Sequence, residues 1–321
     1  MKSDCAIIIL TYNSEAYIPA CLERCFAQTR PAAEIVVVDN GSTDPTPNLI
    51  QTIAQDRPEV QFYPLDQNIG FAAGMNYGIR RSTRPFILCL NADLYLDSDY
   101  LETMMPLWED YPGVGSLIGR IRRMDQPNRL DSVGNYLSWR FTLKNSSNTT
   151  RPELVFAANG CAPFYRRQML ESIRIDDQYF DERYYAFMED TDLAWRSQLA
   201  GWHSLYWPGS GGDHKRSGTF QGQAPFFAKP QSVQYLVMIN RYRTLIKNIG
   251  PFYLGLLSPI LLPIELLIWL VLILHSQLNP AALIEIITRI GQERDYLRHW
   301  SSKIKSGKKR SRLFFIRYIR F

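Results

Sequence analysis

Two short apolar runs near the N-terminus constrain the fold more than any other feature of the sequence. The runs Ala6–Leu10 and Glu34–Val38 are rich in isoleucine and valine, and each ends in polar residues that favour a turn. The segment Ser14–Gln28 between them has helical character. Because apolar runs bounded by turn residues are typical of strands buried on both faces, the pattern predicts a β-α-β unit with parallel strands.

A third apolar run, Phe86–Leu90, is followed directly by Asn91 and Asp93. Polar residues therefore collect where predicted strands end. In open α/β sheets the carboxyl ends of the strands form the crevice that binds ligands. The sequence predicts an α/β fold with a ligand site at this edge, and the segment Tyr111–Thr150 is predicted to be loops with short strands, as an insertion or an acceptor-side region.

The composition excludes several classes of protein. With 321 residues, of which 46% are hydrophobic, the chain can bury a large core, and disorder is not expected. The five cysteines form no CxxC pair and no cluster with histidine, which argues against a disulfide framework or a structural zinc site. They are expected to be reduced, buried thiols in the cytoplasm.

The positive charge is concentrated at the C-terminal end. The chain carries a net charge of +5, yet residues 291–321 carry +8 and residues 1–290 carry −3. Before this basic tail lies an apolar stretch, Pro251–Leu274, in which Glu265 is the one ionisable residue. A membrane span needs about 20 such residues. The predicted partner of the tail is therefore an anionic lipid surface, and nucleic-acid binding is not expected.

The arrangement of the apolar stretch admits three interpretations. Basic residues precede it, at Arg241, Arg243 and Lys247, and others follow it in the range 303–320. Because positive residues favour the cytoplasmic side, a kinked hairpin or an in-plane insertion at the cytoplasmic face is favoured over a true span. A helix pair buried against the rest of the protein is the third possibility. Leu283–Ile304 is predicted to form an amphipathic basic helix that adds membrane contact.

The octapeptide EDTDLAWR, Glu189–Arg196, places three carboxylates within four positions. Acidic residues are favoured in the first turn of a helix, so these carboxylates could be solvated helix-terminal residues; they could also be catalytic. The spacing of Asp192 and Arg196 favours an ion pair one helical turn apart. The octapeptide alone does not decide between these roles.

Further polar motifs follow the other predicted strands. LNADL offers Asn91 and Asp93 at alternate positions, a spacing that can hold a hard divalent cation. The glycines of NIGFAAGMNYG, at positions 70, 74 and 78, do not have the spacing of a dinucleotide-binding GxGxxG motif. The pair Arg166 and Arg167 could meet a phosphate or lie on a solvated surface.

Six segments together resemble family-2 glycosyltransferases of the GT-A fold, especially the rhamnosyltransferase-like branch. They occur in the family's order within residues 4–245: ILTYN, VVVDNGSTD, NIGFAAGMNYG, LNADL, YYAFMEDTDLAWRSQLAGWHSLYWP and GGDHKRSG. The resemblance implies a Rossmann-like mixed sheet flanked by helices, in a catalytic domain of residues 1–245. Residues 246–321 would form the helical, membrane-associating region.

The resemblance also implies roles for individual residues. Asp39 would contact the nucleotide base, and the donor-binding set would comprise Thr11, Asn13, Asp39, Asn68, Gly74 and Asn91. Asp93 and His214 would hold Mg²⁺ or Mn²⁺, although Asn91 replaces the first acid of the family's DxD motif. Asp190 would be the general base, with Glu189 beside it.

These roles predict an inverting transferase. A single carboxylate can take the proton of the acceptor hydroxyl, and a cation can neutralise the leaving diphosphate. The predicted donor is a dTDP- or UDP-sugar, with rhamnose as the first choice, and the acceptor is a glycan or a polyprenyl-linked glycan in cell-surface polysaccharide synthesis. The alternatives are a catalytically silent carbohydrate-binding or scaffold protein on the same fold, and a processive synthase, whose QxxRW motif is missing.

Overall fold

The computed structural model describes residues 3–126, 130–138, 141, 143–146, 150–158, 160–216, 226–275, 278, 280–311 and 313–320. Its strands are β1 Cys5–Thr11, β2 Glu34–Asp39, β3 Val60–Pro64, β4 Phe86–Asn91, β5 Leu94–Leu96, β6 Val114–Arg123, β7 Leu130–Ser132, β8 Asn135–Ser138, β9 Leu143–Asn145, β10 Glu153–Val155, β11 Phe164–Arg166, β12 His203–His214 and β13 Ile319–Arg320. Its α-helices are α1 Ile18–Phe26, α2 Thr46–Gln55, α3 Phe71–Arg81, α4 Tyr100–Met104, α5 Leu107–Asp110, α6 Arg167–Ile173, α7 Glu189–Leu199, α8 Gln231–Ile249, α9 Pro251–His275, α10 Pro280–Gln292 and α11 Arg294–Gly307.

The strands form one large mixed sheet and one small sheet. The order in the large sheet is β10-β12-β6-β11-β4-β1-β2-β3, with β5 paired to β12 and β7 paired to β6. Strands β4, β1, β2 and β3 run parallel, whereas β11 is antiparallel to both of its neighbours. The small sheet has the order β13-β8-β9. The predicted α/β fold with a mixed sheet and flanking helices is confirmed.

Alternation along β1 explains why helices cover both faces of the large sheet. Ile7 and Ile9 belong to one buried cluster together with Leu22 of α1, whereas Ile8 belongs to a second cluster with Met75 of α3. Successive side chains of a strand point to opposite faces, so an uninterrupted isoleucine run supplies apolar contacts on both. The predicted β-α-β unit is therefore present, with β1 and β2 parallel.

The segment predicted to be loops with short strands departs from that prediction. Residues 114–123 form β6, a strand of ten residues in the interior of the large sheet between β12 and β11. Because this segment contains glycine and arginine among its apolar residues, its composition did not indicate a strand. Gly119 has no room for a side chain, because a Cβ there would lie 2.6 Å from the Ser210 carbonyl oxygen.

The C-terminal helices pack against the helices and strands that precede residue 245, and share a core cluster with them. The predicted boundary at residue 245 falls inside α8, which continues to Ile249. Trp300 of α11 and Phe315 belong to the main core cluster, and the Phe315 ring packs 5.3 Å from the Trp195 ring of α7, measured between centroids. The predicted amphipathic helix is two helices, because the chain bends at Glu293, which accepts hydrogen bonds from Arg243.

The three basic residues before the apolar stretch are not free flanking charges. Arg241, Arg243 and Lys247 are each buried, with at most 2% exposure. Arg241 pairs with Glu265 at 2.6 Å, Arg243 pairs with Glu293, and Lys247 pairs with Asp181 and Asp192. The prediction that these three residues are charges flanking a membrane segment was therefore wrong.

The apolar stretch itself forms a single helix. Helix α9 is continuous through Pro259 and Pro263, which excludes the kinked hairpin, and most of its leucines are exposed, which excludes a helix pair buried in the protein. Among the described residues it is the one helix whose length and apolar composition are sufficient to cross a membrane. Trp269 and Leu272 are buried against α8 and α10.

Candidate functional site

A cavity of about 700 Å³ lies at the carboxyl ends of the parallel strands. Strand β1 contributes Thr11, the turn after β2 contributes Asn40, and β4 ends at Asn91 in the cavity wall. The remaining wall comes from distant parts of the chain, among them Asn68, Asp93, Asp131, Tyr185, Glu189 and His214. The sheet edge predicted from the sequence is therefore the edge that carries the cleft.

On one side of the cleft, the turn after β2 is held in shape by Asp39. The Asp39 carboxylate accepts hydrogen bonds from the Thr11 hydroxyl (2.9 Å) and from the backbone N–H (2.9 Å) and hydroxyl (2.5 Å) of Ser42. Asp39 is only 1% exposed. Asn13, which is exposed and has a φ of 47°, accepts a hydrogen bond from the Thr43 N–H. Asp39 and Asn13 thus shape the turn, whereas Thr11 and Asn40 reach the cleft wall.

Asn68 joins this turn to a loop on the opposite side. Its side-chain oxygen accepts hydrogen bonds from the Asn40 amide (3.0 Å) and from the Tyr185 hydroxyl (3.2 Å). Gly70 makes the close approach of the Tyr185 loop possible: its φ is 89°, and a Cβ there would lie 2.5 Å from the Tyr185 ring. Asn68 and Gly70 therefore set the width of the cleft at this point.

Gly74 does not reach the cleft wall. It lies inside α3, and a Cβ added there would meet the Leu10 side chain of β1 at 2.5 Å. The predicted donor-binding role of Gly74 is replaced by a packing role, because its missing side chain lets α3 lie close to the sheet.

The opposite end of the cleft gathers Asp93, Asp131 and His214. His214 Nε2 lies 3.2 Å from an oxygen of Asp93, and His214 Nδ1 lies 2.5 Å from an oxygen of Asp131. Burial lowers the pKa of His214, but its hydrogen bonds to Asp131 and Asp93 outweigh that effect and raise the pKa to about 9. Two buried carboxylates around one imidazole thus form a site that favours positive charge.

This cluster fits a divalent cation. Carboxylate oxygens and imidazole nitrogen suit Mn²⁺ or Mg²⁺, and such an ion would supply the positive charge that the two carboxylates otherwise favour on His214. The Cys161 thiol lies close enough to Asp131 and His214 to complete a triad. Burial raises the pKa of Cys161 well above its usual value, so its sulfur is a poor ligand for hard cations.

Asp131 was missed by the sequence reasoning. It lies in β7, outside every recognised motif, and the chain separates it widely from Asp93 and His214. Only the pairing of β7 with β6, and of β6 with β12, brings it to the cleft. No residue spacing in the sequence could have indicated this contact.

Glu189 and Asp190 begin α7 at the cleft. Glu189 lines the cavity, is 7% exposed, and has one buried carboxylate oxygen with no hydrogen-bond partner within the described part of the chain. Asp190 accepts hydrogen bonds from the Thr191 N–H (2.7 Å) and hydroxyl (3.3 Å), and its carboxylate lies beside Gly160 of the cavity wall. Glu189 is therefore buried and Asp190 half-buried, and neither is a freely solvated helix-terminal residue.

The surroundings of Glu189 and Asp190 affect their pKa values differently. Burial, and then the neighbouring charge of Asp190, raise the pKa of Glu189 to about 8. Burial also raises the pKa of Asp190, but hydrogen bonds from Thr191 and from the Gly160 backbone oppose the rise. Hydrogen bonds to a carboxylate favour its charged form. These hydrogen bonds favour the charged form of Asp190, whereas Glu189, with its pKa of about 8, holds a proton near neutral pH.

Asp192 has a structural role. It pairs with Arg196 at 2.9 Å, as the spacing predicted, and it also lies 3.0 Å from Lys247 Nζ. Burial alone would raise the pKa of Asp192, but the charges of Lys247 and Arg196 lower it below its usual value. Arg166 and Arg167 are structural too: they donate to backbone carbonyls of Val114, Trp108, Arg84, Ile79 and Ser82, so neither proposed role, phosphate contact or solvated surface, applies.

Comparison with known proteins identifies the family. The family model described as glycosyl transferase family 2 matches residues 6–174, more than half of the chain. The chain belongs to glycosyl transferase family 2. Poly-beta-1,6-N-acetyl-D-glucosamine synthase of Staphylococcus aureus is 25% identical over 203 residues, which are 63% of this chain and 47% of the synthase, and the Staphylococcus epidermidis synthase is 22% identical over 205 residues, 63% and 48% of the two chains. This family-2 chain thus spans about half the length of the curated relatives it matches.

Three solved structures have folds similar to that of this chain. S. aureus TarS residues 1–349 in complex with UDP-GlcNAc superposes with a TM-score of 0.56 at 21% identity, covering 77% of this chain and 67% of that one. GalNAc-T7 with UDP, GalNAc and Mn²⁺ gives 0.61 at 13% identity, with coverage of 76% and 47%. The mannosyltransferase PcManGT from Pyrobaculum calidifontis, with GDP-Man and Mn²⁺, gives 0.53 at 17% identity, with coverage of 96% and 86%. The GT-A fold expected for a family-2 glycosyltransferase is therefore confirmed.

Proposed function

We propose that this family-2 glycosyltransferase transfers a sugar from a UDP-sugar to a glycan hydroxyl with inversion, in the synthesis of a cell-surface polysaccharide. The observation that carries the proposal is the cleft, whose wall contains Glu189 and the cation-favouring cluster of Asp93 with His214, while Asp190 follows Glu189 in the chain and lies beside Gly160 of the wall. A direct displacement at the anomeric carbon needs both a base and charge neutralisation of the leaving diphosphate.

Asp190 is the proposed base. It is the member of the acidic pair whose charged form is favoured by hydrogen bonds, so it can accept the proton of the acceptor hydroxyl as the new glycosidic bond forms. Glu189, protonated, lines the cavity beside it. Asp93 and His214, with Asp131 behind the imidazole, would hold the cation, whose charge stabilises the diphosphate. Thr11, Asn40, Asn68 and Asn91 would contact the nucleotide.

A sugar carried by UDP replaces rhamnose as the first choice of transferred sugar. The relatives named above are N-acetylglucosamine polymer synthases, and TarS is solved with UDP-GlcNAc. Transfer can be tested by mass spectrometry of products formed from a panel of UDP-, dTDP- and GDP-sugars with a lipid-linked acceptor and Mn²⁺. Products one sugar longer from a UDP-sugar support the proposal, whereas the absence of donor turnover across the panel contradicts it and favours a silent binding protein.

A processive polymerase is the second candidate, because the curated relatives are synthases of a polymer. The two functions differ in product length. A distributive enzyme elongates most acceptors by a single sugar when acceptor is in excess, whereas a processive one makes long chains while most acceptors remain unused. The missing QxxRW motif favours the distributive reaction.

Glu189→Gln is expected to stabilise the protein in a pH-dependent way. The folded pKa of Glu189, about 8, lies above its usual value of 4.5, so the folded state binds more protons than the unfolded state between these values and stability falls as the pH rises through this range. Neutral Gln avoids that loss. The melting temperature of the variant at pH 8.5 should exceed that of the wild type by at least about 1.5 °C, the effect of roughly 1 kcal/mol in a chain of this size.

The same variant should show little difference from wild type at pH 5, where Glu189 is protonated in the folded state. Thermal unfolding followed by circular dichroism at the two pH values makes the measurement. An equal gain at both pH values, or a loss at pH 8.5, would contradict the assignment of the proton to Glu189.

We also propose that α9 inserts into the cytoplasmic face of the membrane, parallel to its plane. Its exposed face is apolar along its whole length, with Phe252 77%, Leu266 72% and Leu274 65% exposed. The opposite side is fixed to α8, because Glu265 pairs with Arg241 and the Trp269 indole donates to the Tyr242 hydroxyl. A helix attached midway to the catalytic part of the chain suits in-plane insertion better than a span.

Leu266→Glu is expected to weaken membrane binding by about tenfold or more, because a buried leucine side chain contributes roughly 1.5–3 kcal/mol. Co-sedimentation with vesicles of phosphatidylethanolamine and phosphatidylglycerol measures the effect. Leu154→Glu is the matched control, since Leu154 is 46% exposed and lies on β10 of the large sheet, outside α9. Equal vesicle binding of wild type and Leu266→Glu would exclude lipid contact through this face.

A further inference from the structure

The loop before α7 has an unusual backbone. Tyr185, Phe187 and Met188 all have positive φ angles, of 60°, 68° and 69°. For residues with a side chain, each such conformation costs on the order of 1 kcal/mol, so three within four positions persist only where other contacts hold them. Tyr185, Ala186 and Phe187 line the cleft, and the loop leads directly into Glu189 and Asp190.

One side chain from α8 contacts most of this loop. The Asn240 side-chain nitrogen lies 2.9 Å from each of the carbonyl oxygens of Tyr184, Ala186 and Phe187. Asn240 is fully buried. Its side-chain oxygen accepts a hydrogen bond from Arg243 at 2.8 Å, which fixes the orientation of the amide so that its nitrogen faces the loop.

We propose that Asn240 is a positioning residue of the transferase, which holds the cleft loop 184–188 in its strained conformation and thereby places the start of α7 for catalysis. The two N–H groups of the amide are shared among these three carbonyls. Without them, the carbonyls of Ala186 and Phe187 lose a donor, while that of Tyr184 keeps the Ala186 N–H, and the loop can relax towards negative φ angles. The loop also contacts the nucleotide side, where the Tyr185 carbonyl accepts from the Ala72 N–H and the Tyr185 hydroxyl donates to Asn68. A relaxed loop would therefore change the alignment of base and donor.

Gln234 supplies a matched control. It lies on the same helix, is fully buried, and donates its amide to two backbone carbonyls, those of Phe227 and Lys229. None of these residues belongs to the cleft wall. Gln234→Ala thus removes the same kind of contact from α8 and leaves the loop 184–188 untouched.

Hydrogen exchange followed by mass spectrometry tests the positioning directly, with the full chain and without any substrate. Asn240→Ala and the nearly isosteric Asn240→Asp, which keeps the acceptor for Arg243, should raise exchange in peptides covering residues 184–188 at least tenfold, whereas Gln234→Ala should not. Unchanged exchange in the Asn240 variants, or an equal rise in Gln234→Ala, would overturn the proposal. If neither Asn240 variant folds, exchange of residues 184–186 in the wild type at the rate of an open loop would also overturn it.

Kinetic measurements distinguish a positioning role of Asn240 from a general loss of stability, and their interpretation rests on the proposed function. With UDP-GlcNAc and Mn²⁺, Asn240→Ala should lower kcat by about 10- to 100-fold, the usual effect of misplacing a reacting group, while the Kd for UDP changes less than about threefold. Gln234→Ala should retain kcat. A wild type that fails to turn over UDP-GlcNAc would count against the proposed donor, whereas the exchange result would stand by itself. Loss of UDP binding equal to the loss of kcat would contradict a positioning role.

Discussion

Asp190→Asn is expected to lower the turnover of sugar transfer by roughly 10²–10⁴, the usual contribution of a general base. The amide cannot accept the proton of the acceptor hydroxyl, yet it nearly preserves the volume of the side chain and the contact with Thr191. Nucleotide-sugar affinity should stay near that of the wild type, because the described hydrogen bonds of Asp190 go to Thr191 and Gly160 and not to a residue proposed to contact the nucleotide. Steady-state kinetics together with calorimetric binding of UDP measure the two quantities.

Glu189→Gln is the matched comparison for this loss. Because Glu189 is protonated near neutral pH, its neutral amide analogue should reduce turnover far less than Asp190→Asn does. If Glu189→Gln were the more damaging of the two substitutions, the base would have to be reassigned to Glu189, whose carboxylate is the one that lines the cavity.

Asp93→Ala is expected to abolish transfer and Mn²⁺-dependent donor binding together. Asp93 is a buried carboxylate that contacts His214 within the cation-favouring cluster, and without a cation the leaving diphosphate has no neutralising charge. Donor binding titrated with and without Mn²⁺ gives a readout independent of turnover. The wild type should likewise lose activity on exhaustive chelation and recover it when Mn²⁺ or Mg²⁺ is returned.

Asp213→Asn serves as the control for Asp93→Ala. Asp213 precedes His214 in β12, but its carboxylate accepts a hydrogen bond from Arg122 at 2.7 Å and takes no part in the cation cluster. Its substitution should leave the Mn²⁺ dependence of donor binding unchanged. Full activity of the wild type after chelation would remove the cation from the mechanism.

The sequence predicted those parts of the fold that depend on short-range pattern. Strands β1, β2 and β4 follow from apolar runs, and the polar residues after them were correctly placed at one edge, because parallel strands must end on the same side. The start of a helix at Glu189 and the Asp192–Arg196 pair also follow from local spacing. Each of these predictions involves residues that are neighbours in sequence or in a regular ladder.

What the sequence did not reveal depends on contacts between distant segments. Asp131 reaches His214 only through the pairing of β7 with β6 and of β6 with β12, and the hydrogen bonds of Asp39 to Thr11 and Ser42 could not be predicted from spacing. A charge pattern shows that Arg241 is basic, but not that Glu265 will neutralise it inside the protein. Glu293, the residue between α10 and α11, is likewise paired with Arg243 of α8, a contact that hydrophobic periodicity cannot detect.

The packing of residues 313–320 has a consequence for synthesis on the ribosome. Phe315 stacks against the core near Trp195 and Phe141, and β13 adds a strand to β8, whose Asn135 lines the cleft. These contacts form only after the final helices have been translated, whereas α9 leaves the ribosome earlier. Domains fold as their residues emerge, and α9 is translated before the strand that pairs with β8 beside the cleft. If α9 binds lipid as proposed, that contact can form before the cleft is complete.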